Sequence, residues 1–143
     1  MLRACALLLI CFAVGLPGCG PPQKDPAVIA YEQLHSAVRR GDAEAFVELL
    51  GPASRKTLAD RVGASPDDTA ALAKRVGVRP DWAILDDLPR RARVEPVEGD
   101  ATRRVVTGPI GGMDAAIPVV LVDGAWRVEL FEARRIEPAA RDG

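Results

Sequence analysis

The chain is 143 residues long and carries 19 lysines and arginines against 20 aspartates and glutamates, with one histidine and 48% hydrophobic residues. This near-neutral balance supplies no electrostatic reason to bind nucleic acid, and a single histidine, His35, excludes a histidine-rich metal site. The length suits one domain with its own core and is too short for two.

The first 18 residues read as an export signal: Met1 and Arg3 give a positive start, Ala4 to Val14 is an apolar run, and small residues follow. The run is shorter than the about 20 apolar residues needed to span a bilayer. Leu16-Pro17-Gly18-Cys19 resembles the lipobox of bacterial lipoprotein signals, with Pro17 as its one departure. That resemblance implies cleavage before Cys19 and attachment of a diacylglycerol and an N-acyl chain to it. Each buried methylene contributes about 0.8 kcal/mol, so several acyl chains would anchor the protein to the membrane. An ordinary secretory signal, cut after Gly18 or Gly20, is the alternative reading. Gly20 is not the aspartate that retains some bacterial lipoproteins at the inner membrane, so the resemblance implies an outer-membrane anchor facing the periplasm. Cys5 and Cys11 would leave with the signal and Cys19 would be consumed by lipid. The remaining 125 residues then have no thiol for a disulfide, a thiolate metal site or a nucleophile.

Residues 19–24 form a short tether in which Pro21 and Pro22 keep the chain extended. The domain proper is expected from Asp25 to Ile136, with residues 137–143 a frayed tail. Asp25 as N-cap and Pro26 in the first turn announce a helix with Ala27, Ala30, Leu34 and Val38 on one face. Arg39 and Arg40 suit its negative end and Gly41 stops it. Asp42 caps a second helix with Ala45, Phe46, Leu49 and Leu50 apolar, and Gly51-Pro52 breaks it. A third carries Leu58 and Val62 to Gly63. Ser65 as N-cap, Pro66 in the first turn and Asp68 as a capping-box variant predict a fourth, continuing through Leu72 and Val76 to Gly77. Arg79 to Pro89 reads as a turn and a short helix or irregular segment.

After Pro89 the apolar period changes to two. Ala92, Val94 and Val97, the turn Glu98-Gly99-Asp100 and Thr102 to Thr107 predict a hairpin. A loop over Gly108 to Gly112 separates it from Ala115 to Val122, whose continuous apolar run reads as a central strand. Asp123-Gly124 signals a second hairpin, beyond which Trp126, Val128 and Leu130 alternate with Arg127 and Glu129. Helices followed by an antiparallel meander give an α+β fold with the helices on one sheet face.

Two segments carry a family likeness. Ala37-Val38-Arg39-Arg40-Gly41-Asp42-Ala43-Glu44-Ala45-Phe46 resembles the break between the first two helices of the nuclear transport factor 2-like superfamily. Val119-Val120-Leu121-Val122-Asp123-Gly124-Ala125-Trp126-Arg127-Val128 resembles its final hairpin. The resemblance spans Asp25 to Arg135 and implies a cone-shaped, cystatin-like α+β domain in which a curved antiparallel sheet encloses a cavity. Enzymatic members similar to ketosteroid isomerases place an acidic base opposite a hydrogen-bond donor, and others pair histidine with an acid. No motif of that kind joins the polar residues of this chain.

Tyr31 and His35, four residues apart, share a helix face and suit a cavity mouth, although packing of Tyr31 with an exposed hydroxyl is the simpler reading. Asp86 and Asp87 are candidates for a general base or cation site against the plainer alternative of a solvated turn. Trp82 is a candidate pocket lid, and Trp126 is expected in the core. Arg91 and Arg93, with Arg103 and Arg104 across a hairpin, are candidates for an anion-binding face, against cross-strand pairing to Glu95, Glu98 and Asp100. Gly111-Gly112 has neither the lysine nor the helix of a phosphate loop. No cofactor and no metal are expected.

Three functions fit these residues. The first is an anchored, non-catalytic binding or accessory module that takes a small apolar ligand or an envelope protein segment. The second is a small lyase or isomerase, with Asp86 or Asp87 as base and Tyr31 or His35 as donor. The third is a structural lipoprotein with its arginine face on peptidoglycan.

Overall fold

The computed structural model describes residues 23–79, 82, 92–110 and 112–136. The signal, Cys19, most of the tether, Asp86, Asp87, Arg91 and the tail lie outside the described residues. Among those described, four helices come first: α1 (Pro26–Arg40), α2 (Ala43–Leu49), α3 (Pro52–Val62) and α4 (Thr69–Arg75). They pack against a five-stranded antiparallel sheet of β1 (Arg93–Val97), β2 (Asp100–Ile110), β3 (Met113–Val122), β4 (Ala125–Val128) and β5 (Arg134–Ile136). The strand order is β1-β2-β3-β4, and β5 pairs with β3 beside β4. A 3-10 turn at Leu130–Glu132 connects β4 to β5.

Helix α1 starts and stops where its residues dictate. The Asp25 carboxylate accepts the Ala27 N–H at 2.8 Å. At the other end Gly41, at φ 67°, lets its own N–H reach Val38 O and the Asp42 N–H reach Ala37 O. The face carrying Ala27, Tyr31, Leu34, Ala37 and Val38 is buried and packs on the sheet. Leu34 is wholly enclosed, so truncating it to alanine removes about 2–5 kcal/mol. Lys24, expected in the tether, pairs with Glu32 at 2.8 Å and ties the segment to α1.

Helix α4 begins three residues later than the sequence suggests. The Ser65 hydroxyl accepts the Asp67 N–H, two residues on, and is spent on that local turn. The Asp68 carboxylate is the cap, accepting the Ala71 N–H at 2.9 Å. The helix also closes at Arg75, with Val76 extended rather than helical.

The sheet corrects a further expectation. Gly108 to Ile110 are strand rather than loop, paired with Met113 to Ala115, so only Gly111 and Gly112 lie between β2 and β3. The last β1–β2 pair is Arg93 with Thr107. Beyond it, among the described residues, β2 is paired on one side only, where Pro109 is tolerated. Pro118 is accommodated in the same way. On that edge β3 pairs with β5 at Asp114 to Ala116 and with β4 at Val119 to Val122, and Pro118 falls in the interval, where only its carbonyl is used, accepting Glu129 N–H. Beyond Leu130, where the sequence pattern announces no element, the 3-10 turn leads into the short strand β5. The predicted turn at Asp123-Gly124 is present with both residues at positive φ, 50° and 77°. Ala115, Ile117 and Val119 of β3 alternate inward onto a core that includes Leu34, Phe46, Val47, Leu58 and Leu72.

Candidate functional site

Helix α3 has no capping side chain of its own, because its N-cap is Gly51. Its first turn is capped instead by Glu129, which accepts the Ala53 N–H at 3.1 Å and the Ser54 N–H at 2.7 Å from 75 residues away in sequence. Glu129 is 4% exposed. The alternation beyond Asp123-Gly124 predicts it on the outward face with Arg127, which the structure corrects. The strand ends at Val128, and the Glu129 side chain turns in to the positive end of the α3 dipole. Gly51 is required there, since a Cβ at this position would overlap the Glu129 carboxylate. The Gly51 N–H donates to Val128 O at 2.9 Å, and the buried Ser54 hydroxyl accepts Phe131 N–H at 3.1 Å. No buried side-chain polar atom among the described residues lacks a hydrogen-bond partner. This clasp fixes the α2–α3 junction against the edge of β4.

Clefts open on either side of that edge. The larger, about 540 Å³, is walled by Glu48, Arg55, Asp67, Thr69, Asp123 and Arg127 among others. A second of about 310 Å³ lies between α1 and α2, and it shares Glu48 and Arg127 with the first. A third of about 440 Å³ runs along α3 and shares Pro52, Arg55 and Asp67 with the first. Shared walls make the three one continuous, charged groove. Arg55 is committed to structure: Nε donates to Pro66 O at 2.9 Å, one terminal nitrogen to Thr69 Oγ1 at 2.8 Å and the other to Val47 O. It therefore holds the walls together. Among the described residues, the side chains of Glu48 and Arg127 have neither a hydrogen bond nor an ion pair.

The residues singled out from sequence stand elsewhere. Tyr31 and His35 do share a face of α1, with ring centroids 6.3 Å apart. Tyr31, however, is 0% exposed and belongs to the core, so it neither stands at a cavity mouth nor presents its hydroxyl to solvent. His35 is partly buried. Neither lines the three clefts. Asp86 and Asp87, the acids proposed to face them, lie outside the described residues. Trp82 packs between Phe46, at 5.4 Å, and Phe131, at 5.7 Å and nearly perpendicular, and the Arg61 guanidinium covers Phe131 at 4.8 Å. Trp82 thus closes an aromatic stack between α2 and the 3-10 turn, and it lines none of the three clefts.

The arginines are divided by the pleat. Arg93 is opposite Thr107, and Arg103 lies on the same face of β2 as Thr107, whereas the adjacent Arg104 points to the other face. Arg104 stands over the Trp126 ring at 5.3 Å, which leaves Trp126 partly buried at the core margin rather than within it. Arg93 is 3.8 Å from Asp114 and Arg103 is 3.7 Å from Asp100. Period two therefore splits Arg103 from Arg104, and Arg91 lies outside the described residues. The Asp100 carboxyl is held below its ordinary pKa, first by the Thr102 hydroxyl at 2.6 Å, then by the Thr102 N–H at 2.9 Å and the nearby Arg103 and Arg104 charges.

Among the described residues no three histidine, cysteine, aspartate or glutamate side chains gather into a possible metal site, and no helix is long and apolar enough to cross a membrane. No family model, curated protein sequence or solved structure matches the chain.

Proposed function

We propose that this protein is a lipid-anchored, non-catalytic binding module of the cell envelope. The reading takes Leu16-Pro17-Gly18-Cys19 as a lipobox, with Cys19 carrying the lipid and the domain facing the periplasm, in the outer membrane by the residue that follows the cysteine. The domain is a nuclear-transport-factor-2-like variant, a reading supported by the helices-then-meander order and by the Gly41-Asp42 and Asp123-Gly124 turns.

One observation carries the binding assignment. Of the two polar candidates on α1, Tyr31 is sealed in the core and partly buried His35 lines none of the clefts, while the accessible space walled by described residues lies outside that core, in a charged groove at the rim. A sealed phenol has no route to a substrate, whereas a groove at the rim is open to a ligand or to a segment of an envelope partner.

Partition of the full chain between detergent and aqueous phases tests the anchor. Wild type is expected in the detergent phase and Cys19→Ala in the aqueous phase; identical partition of the two would remove the anchoring claim. Tyr31→Phe tests the non-catalytic reading of α1. Removing a sealed hydroxyl is expected to lower stability by about 1 kcal/mol without touching ligand binding at the rim, and a selective loss of binding with unchanged stability would reverse the assignment.

A further inference from the structure

Among the described residues the groove has one cation whose side chain is not already engaged, since Arg40 is held by Ser36 and Asp42 and Lys56 by Asp60. Arg55 spends its donors on Pro66 O, Val47 O and Thr69 Oγ1, whereas Arg127, half-buried on β4, forms part of the wall of the first and second clefts, and its side chain has no hydrogen-bond partner among the described residues. A guanidinium carries five donors in a planar fork that matches a carboxylate. Glu48, on α2, borders the same two clefts and is likewise without a partner, and Asp67 and Asp123 add negative charge to the larger one. Three acids repel a doubly charged phosphate, so a single carboxylate suits the Arg127 fork better. The same acids favour a ligand that brings its own positive charge. The cleft volumes lie in the range typical of small-molecule sites.

We propose that the groove binds a small zwitterion, a free amino acid or the ends of a short peptide, with its carboxylate on the Arg127 guanidinium and its ammonium on the Glu48 carboxylate. The proposal rests on reading the protein as a binding module and names the ligand class that module takes. No covalent step is involved. Arg127 fixes orientation through paired donors, and Glu48 discriminates against acids lacking an amine.

Calorimetric titration of the full chain in detergent micelles tests this with L-alanine, L-alanyl-L-alanine, N-acetyl-L-alanine and L-alaninamide as probes. Either zwitterion should bind, with the tighter of the two identifying the free amino acid or the peptide as the source. The acetylated acid and the amide should each bind about tenfold or more weakly, each lacking one charge-assisted contact. Arg127→Gln should abolish binding of both zwitterions, and Arg127→Lys should restore only part of it. Glu48→Gln should erase the preference for alanine over N-acetylalanine. Unchanged thermal midpoints exclude misfolding of these surface variants. The absence of binding heat for every probe, or equal heats in wild type and Arg127→Gln, would overturn the proposal. Because anchoring is read separately by the Cys19→Ala partition, failure here leaves that result standing.

Discussion

The two flanks of the sheet are held by different kinds of contact. At the β4 flank, Glu129, Ser54 and the Gly51 N–H join α3 to β4 and the 3-10 turn through bonds that span 75 to 77 residues, and these groups are enclosed. At the β1–β2 flank the polar contacts are short-range and exposed, such as Asp100 with Thr102 and Arg103, while the ladder itself slips in register between Pro96 and Val97. Water replaces an exposed bond at little cost and cannot reach an enclosed one. Stability is therefore concentrated where the chain closes on itself, and the β1–β2 hairpin tolerates change.

The largest effect expected from this contrast is that of Glu129→Ala, which leaves the Ala53 and Ser54 N–H groups without an acceptor. Urea or thermal unfolding should show a loss of about 3 kcal/mol or more. A loss below about 1 kcal/mol would mean that the clasp does not hold the flank. Gly51→Ala forces a methyl group against the Glu129 carboxylate and is expected to cost about 2 kcal/mol. Combined with Glu129→Ala it should cost less than the two losses added, because the group it strikes is then gone. Strict additivity in that cycle would separate the two residues. Ser54→Ala removes the acceptor for Phe131 N–H and should cost about 1 kcal/mol.

On the opposite flank the effects should be small. Arg93→Ala breaks only an exposed pair with Asp114 and should shift stability by no more than about 0.5 kcal/mol. Acidification should act locally at Asp100. A carboxyl with a lowered folded pKa contributes stability that is present above its unfolded value and lost as pH falls through the folded one. Hydrogen exchange at the Thr102 amide should accordingly quicken on the acid side and stay constant toward neutral pH. Faster exchange on raising the pH to neutral, after correction for intrinsic chemistry, would contradict the assignment.

Local chemistry was legible in the sequence and long-range chemistry was not. Asp25, Asp42, Gly41, Gly63 and Asp123-Gly124 announce their structures because cap and turn involve neighbours only. Ser65 misled because several nearby oxygens can cap, and the local turn claimed the hydroxyl. Glu129 read as a solvent-facing member of an alternating strand, and nothing near it in sequence shows that α3 lacks a cap of its own. Gly51 read as a helix breaker for the same reason, since its need for a bare Cα comes from a residue on another element. The groove was hidden too. Arg127 follows strand alternation, but Glu48 meets it only after α2 docks on β4. Tyr31 and His35 stand out only as residue types, and their placement depends on how closely α1 packs on the sheet.

The stretch that carries Gly51 has one more effect. Leu50 forms a parallel bridge with Val128 and the Gly51 N–H occupies the Val128 carbonyl, so β4 does not present a bare outer edge at that point. Open strand edges recruit one another, and proteins crowded on a two-dimensional surface meet far more often than in free solution. Under the proposed lipid anchor, the chain gains from having its own backbone block the position where a neighbour's strand would otherwise add. Edge-to-edge polymerisation through that point of β4 then requires the α2–α3 junction to peel away first, against the resistance of Glu129.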